Sequence, residues 1–468
     1  MSERIRKRKL QVLLLVGAVL CLAIPSLNTP VASAPLPKQG MVCTDGTLLS
    51  GTRTFDLTTR DGYIYTPDGN TVYSWGYSSG SNVFQLPGPV LCARQGETVV
   101  VNLTNTLPVK TSITFPGQLG TSSTGGAAGL FTAEAAASGG TVQYSFVANE
   151  PGTYLYESGT DPELQVEMGL YGGLVVRPST NTGTCTAGLP AGSSFAYGAA
   201  RTQFDPCRES ILILAEVDPE IHLAVEHKVD QGQPMNVDLT GRHNRYYLVN
   251  GRAFPDTLYD NFVPWLPNQP YGALVRVQPI DQTGGQPAMI RYINAGFDNH
   301  PFHPHGNHML VIGRDGRLLQ GPSGEDTSFQ DFTRTVGAGQ TYDLLFRWLL
   351  TCNTSGQNGQ NWLKGTATHT CDTAVGAESD SIPVTIPNYK TLNFKDGNTY
   401  YSGNPYLGYK GSLPSGTTSQ NVCGEYYFPW HSHALNEFVN FDEGFGGMAT
   451  LVRVDPPPSM NHTGKSCK

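Results

Sequence analysis

The chain has 468 residues, enough for two to three domains, and only 15% of them are charged while Gly numbers 54 and Pro 33; that balance argues against helical bundles and coiled coils. The formal charge is −8, and removing residues 1–34, which hold five basic residues and one acidic one, takes it to −12. An acidic protein of this kind is a poor partner for nucleic acid or an anionic membrane, since both call for basic patches.

Residues 1–34 read as a signal peptide. Arg4, Arg6, Lys7, Arg8 and Lys9 form a basic head, Leu10–Ile24 an apolar run, and Ala32 and Ala34 an A-x-A cleavage site. The run is short for a membrane span, which needs about 20 residues, and no later stretch could serve as one. The expectation is an exported protein, periplasmic or extracellular, with no integral membrane segment after processing.

Beyond the signal, short β-branched runs recur between turn residues: Glu97–Leu103 (ETVVVNL), Ile211–Val217 (ILILAEV) and Ala273–Pro279 (ALVRVQP). Long helix-period patterns are missing, so the chain reads as all-β, of the sandwich kind. The first domain is placed at 40–178 and a Thr-, Gly-, Ser- and Ala-rich linker at 179–208. The second domain is placed at 209–455, interrupted by a long polar insertion at 351–421. An insertion of that length tends to be functional or disordered, and its cysteines and tyrosines favour an ordered flap.

Eight cysteines follow the signal: Cys43, Cys92, Cys185, Cys207, Cys352, Cys371, Cys423 and Cys467. An even count in an exported chain points to disulfides, and eight cysteines allow 105 pairings. The favoured set is Cys185–Cys207 and Cys352–Cys371 as local bridges, with Cys43–Cys92 and Cys423–Cys467 tying down the ends.

Six of the eleven histidines fall in two short stretches, His300–His308 (HPFHPHGNH) and Trp430–His433 (WHSH). Side chains alternate across a strand. His303 and His305 therefore share a face opposite to His300, and His431 and His433 share one opposite to Ser432. Two such strands side by side gather four imidazoles on one surface, a ligand set suited to copper, zinc, iron or nickel. The other surface brings His300 near Ser432. His308 is a further candidate. His222, His227, His243, His369 and His462 stand alone and read as surface or hydrogen-bonded residues.

Several longer segments then resemble the multicopper oxidases, laccase-like proteins built from cupredoxin sandwiches. Pro87–Pro116 is similar to the family's opening strands and Gly152–Pro178 to the strands that close its first domain. Tyr247–Pro255, Arg291–Gly296, Val336–Phe346 and the two histidine stretches follow in family order. The resemblance implies two cupredoxin-like Greek-key β-sandwich domains, the second carrying the insertion, and a copper cluster set between domains.

The same resemblance exposes losses. An active member carries four His-x-His-type motifs around a three-copper cluster, plus an electron-entry blue copper. Here the first motif reads Thr114-Phe115-Pro116-Gly117 and the second Glu157-Ser158-Gly159, and residues 40–178 hold no histidine at all. His303, His305, His431 and His433 match the surviving half of the cluster. Ser432 stands where the blue copper requires a thiolate, Glu437 where it requires a second imidazole, and His300 and Met448 are what remain of its ligands. Serine does not ionise near neutral pH and is a poor ligand for copper; a blue site needs two His and a Cys. Glu157 is a possible carboxylate neighbour of the cluster.

The expectation is therefore an exported protein binding copper at a reduced, mononuclear site, with fewer ions than an active multicopper oxidase and little or no laccase-type turnover. Its partners would be a metal or small-molecule ligand, and a homo-oligomer or cell-envelope partner is open. One rival is a metal-free envelope scaffold or binding protein. The other is a copper-dependent oxidoreductase whose cluster is completed between subunits.

Overall fold

The strand Glu209–Val217 shows how the molecule is layered. All nine of its residues are buried, and their side chains alternate between two cores. Leu212 and Leu214 enter one cluster; Ile211, Ile213, Ala215 and Val217 enter another. A strand covered on both faces carries a continuous apolar run rather than an alternating one. That is why ILILAEV is nearly unbroken, with Glu216 its one charged interior residue.

The structure, a computed structural model, describes residues 38–80, 83–186, 188–278, 280–281, 285–350, 426–441, 443–444 and 446–455. The expected signal peptide 1–34, the expected insertion 351–421, the expected bridges Cys352–Cys371 and Cys423–Cys467, and His369 and His462 lie outside them. The chain divides into Met1–Leu36 and Pro37–Lys468, and the described residues all belong to the second unit. Among the described residues no helix is long and apolar enough to cross a membrane.

Among the described residues, four sheets of three or more strands are stacked in pairs. The first sandwich pairs a six-stranded sheet, with Thr52–Tyr65, Thr98–Asn105 and Gly140–Val147 at its centre, with a three-stranded sheet of Leu91–Arg94, Tyr171–Arg177 and Gly152–Glu157. Phe55, Val101, Tyr144, Tyr154 and Leu174 form the core between them. The second sandwich pairs a seven-stranded sheet, centred on Glu209–Val217, Ala288–Asn294 and Thr341–Phe346, with a five-stranded one. The latter runs in the order Val275–Val277, Ala449–Val454, Tyr426–Ser432, His300–Pro304, Arg334–Val336. Leu212, Ile290, Phe302, Leu344, Phe428 and Val452 fill that core. The fold is all-β and cupredoxin-like, with parallel pairs such as Glu209–Val217 with Ala288–Asn294 among antiparallel ones.

The sandwiches meet where the three-stranded sheet lies on the seven-stranded one. Leu155 and Val175 pack with Ile211, Ile213 and Ile293. The approach is close enough that a Cβ on Gly173 would stand 3.0 Å from Ile293 and 3.1 Å from Ile211. Polar groups cross the same seam. Buried Arg291 donates to Glu209 at 2.9 Å, to Asp343 at 2.9 Å and to Thr153 at 2.8 Å. Arg177 reaches Glu209 at 2.6 Å, and Tyr197 donates to Asp343 at 2.6 Å. Buried charges persist when paired and hydrogen-bonded in this way.

Two features differ from expectation. Residues 179–208 are not a plain linker: Thr184–Thr186 pairs with Leu189–Ala191, and Ser194–Phe195 with Gln203–Phe204. A helix also occurs, Pro219–Asp230, whose N-cap Asp218 accepts from the backbone N–H of Glu220 and Ile221. It buries Ile221, His222 and Val225, two of them in the first sandwich's core. Asp followed by Pro and Glu is a start signal, but the helix's apolar face is too narrow to stand out by period alone. The disulfides Cys43–Cys92 and Cys185–Cys207 are formed as expected.

Candidate metal centre

His300–Pro304 and Tyr426–Ser432 are antiparallel neighbours, with His303 opposite His431 and Phe302 opposite Ser432. The pairing carries on past the strand ends, as His305 N–H donates to the Pro429 carbonyl and His433 N–H to the Pro301 carbonyl. Pleating then does what parity predicts. His300, Phe302 and Ser432 turn into the core, each with no exposed surface, and the other set turns outward. Ring centroids of His303, His305, His431 and His433 lie 4.7 to 5.8 Å apart in five of their pairings.

The nearest nitrogens are Nε2 of His305 and Nε2 of His431, 3.0 Å apart. Two imidazole nitrogens bound to one metal at about 2 Å in a tetrahedral arrangement stand about 3.3 Å apart, so this pair fits a shared ion. His303 turns Nδ1 to the Phe332 carbonyl and to Thr333 Oγ1 at 2.8 Å, and His431 turns Nδ1 to the Ser432 carbonyl at 2.7 Å. An Nδ1–H engaged on a carbonyl leaves Nε2 with its lone pair, the tautomer a metal takes. Burial lowers the His303 and His431 pKa below the ordinary imidazole value, and the neighbouring imidazoles push the same way. Both therefore favour the neutral, ligating form. Yet among the described residues no three His, Cys, Asp or Glu side chains already converge on one point that could hold a metal. The four rings are neighbours, and their nitrogens do not converge as placed.

The remaining candidates sit elsewhere. His308 touches the Phe332 ring and none of the four imidazoles. Glu157 belongs to the first sandwich, where its backbone pairs with Thr114; burial raises its pKa to about 7. No contact joins it to the histidines among the described residues. Met448 is a core residue. His300 is no metal ligand as placed: its Nδ1 meets Glu437 and its Nε2 meets Glu216, each at 2.9 Å. Glu216 is the residue that sequence reasoning missed. Its clue was a carboxylate inside a run buried on both faces, a position that demands a partner. Nor does the cluster lie at the seam between sandwiches. The seam uses the seven-stranded sheet, and the histidine strands belong to the other sheet of that sandwich.

Comparison with known proteins bears on the scaffold. The sequence profile described as Multicopper oxidase matches residues 65–181. Over these residues the chain is similar to the multicopper oxidases. This family match falls on the sandwich that lacks histidines, so what it recognises is the scaffold and not the ligands. Laccase-2 of Botryotinia fuckeliana is 25% identical over 368 residues, 75% of this chain and 54% of that protein. Multicopper oxidase MCE of Talaromyces pinophilus is 38% identical over 99 residues, 21% of this chain and 16% of that protein. The chain thus spans about half or less of these relatives. Among solved structures, the Blue Copper Oxidase from Nitrosomonas europaea aligns with TM-score 0.48 and 19% identity over 86% of this chain and 85% of that one.

Proposed function

We propose that this multicopper-oxidase relative is an exported protein binding copper at one reduced site made by His303, His305, His431 and His433, without laccase-type turnover. The observation that carries the reading is the 3.0 Å approach of His305 Nε2 to His431 Nε2 within a cluster of four imidazoles. Copper held there would supply a single metal centre with open positions. The chain's part is to present neutral imidazoles, two of them oriented by backbone carbonyls.

The ligand chemistry argues against an oxidase. Four-electron reduction of oxygen in this family draws on a three-copper cluster fed by a thiolate-bound copper. Thr114–Gly117 and Glu157–Gly159 carry no imidazole, and Ser432 offers a hydroxyl in place of sulfur. A metal-free binding or scaffold role is the second reading, favoured by the absence of a ready-formed three-ligand group among the described residues.

Metal analysis separates the two. Untagged protein loaded with copper and dialysed should retain one ion per chain, and His431→Ala/His433→Ala should retain none while keeping its circular dichroism. A folded double variant that still holds one copper, or wild type that never retains any, leaves the scaffold reading in place. Two or three ions per chain would bring back the oxidase.

A further inference from the structure

Each residue that the family resemblance assigns to the electron-entry copper has another task here. His300 is fully buried and hydrogen-bonded at both ring nitrogens, Nδ1 with Glu437 Oε2 and Nε2 with Glu216 Oε2. A neutral imidazole has one N–H, so one of these contacts would set a lone pair against a carboxylate. Two carboxylates therefore select the imidazolium, which donates from both nitrogens. Glu216 is committed as an acceptor: its Oε1 receives the backbone N–H groups of Phe297 and Asp298 at 2.6 and 3.0 Å, and Arg242 at 3.1 Å. Arg242 also pairs with Glu167 and lies 4.2 Å over the Phe297 ring.

The three members come from separate parts of the second sandwich. Glu216 is on Glu209–Val217, His300 opens His300–Pro304, and Glu437 sits in the short turn Leu435–Phe438. They join its two sheets and that turn. Ser432 Oγ accepts the Ala434 N–H at 3.3 Å, and the Met448 N–H donates to the Glu437 carbonyl at 2.8 Å.

We propose that the Glu216–His300–Glu437 triad is a metal-excluding staple, which holds both sheets together by charge-assisted hydrogen bonds and leaves His300 no lone pair for an ion. The former copper pocket has been refilled rather than emptied, so a thiolate alone cannot restore it. This inference rests on the family reading for the identity of the pocket, but not on copper binding at the outer histidines.

Protein labelled with 15N-histidine tests the staple directly, with Zn(II) as a diamagnetic probe. At pH 8 the wild type should show two protected ring N–H signals from His300, both retained in excess Zn(II). They are assigned by their loss in His300→Gln or, if that variant does not fold, by their shift in Glu437→Gln. A single N–H, or loss of the Nδ1–H on adding zinc, overturns the proposal. Ser432→Cys supplies a second readout: loaded with Cu(II), it should show no intense thiolate-to-copper band and the wild-type metal count. A blue band there overturns the proposal. Signals of His303, His305, His431 and His433 in the same spectra report on the outer site, so either idea can fail alone.

Discussion

Replacing Glu437 with Gln should destabilise the protein more at pH 6.5 than at pH 9.5. Burial alone would pull the His300 pKa down, but hydrogen bonds to Glu216 and Glu437, and the charges of both, outweigh it and raise the value to about 9. Against an ordinary value near 6.5, and at about 1.4 kcal/mol per pH unit, that is about 3 kcal/mol of linked stability. Because the folded value is the higher one, this contribution is complete below pH 6.5 and is lost as pH rises through about 9. The side chain has no exposed surface, so solvent screening removes little of it. Glu437→Gln keeps an acceptor for Nδ1–H but removes one of two charges, so the variant should forfeit about half, ~1.5 kcal/mol, at the acid end. Urea titrations of wild type and variant at pH 6.5, 7.5, 8.5 and 9.5 measure the difference, in which groups common to both cancel. Arg242 also lies near the triad, paired with Glu167 and Glu216, as does Tyr247, whose pKa burial and the charge of Glu437 raise above the ordinary tyrosine value. A difference that stays flat across the range, or widens as pH rises, would show that His300 is not held as an imidazolium.

Four further outcomes are expected. Arg291→Met leaves Glu209 with Arg177 and Asp343 with Tyr197 and Thr153, yet removes the buried positive charge that both carboxylates share; urea midpoints should register a loss of about 3–5 kcal/mol, and a loss under ~1 kcal/mol would be too small for this network. His369→Ala, unlike His431→Ala/His433→Ala, should keep its copper by metal analysis; equal loss in both would remove the assignment. Since burial lowers the His303 and His431 pKa, bound metal should persist until the pH drops below the ordinary imidazole value, about 6.5; half-release above pH 7 in a chelator assay contradicts the ligand set. Copper-loaded wild type should show no intense blue band and should not oxidise phenols at laccase-like rates; steady oxygen consumption coupled to a phenol would refute the reading of Ser432.

Strand parity carried the clustering of four imidazoles from sequence to structure. HPFHPH and WHSH each sort two imidazoles to one face by local alternation alone, and the antiparallel pairing of the two strands joins the pairs. Sandwich layering was readable for a similar reason, since ILILAEV has no polar face to give to water. The triad was not readable in the same way. Its members stand 84 and 137 residues from one another, and His300 looked like a remnant ligand because nothing local revealed what would surround it. The placement of the histidines also escaped, because which of two sheets faces the other sandwich depends on side chains of both. The helix Pro219–Asp230 was missed where its short apolar stripe, Ile221 and Val225, serves the neighbouring sandwich's core.

The strand Glu209–Val217 has a consequence for synthesis. Uncovered, it is a β-branched, nearly uncharged segment of the sort that stacks into cross-β aggregates. The sheet that shields its outer face is built wholly from residues between 91 and 177. Those residues emerge first, from the ribosome or from an export channel, and N-terminal units generally fold first. When residue 209 emerges, its cover can already be in place, and this aggregation-prone stretch need not wait long for a partner.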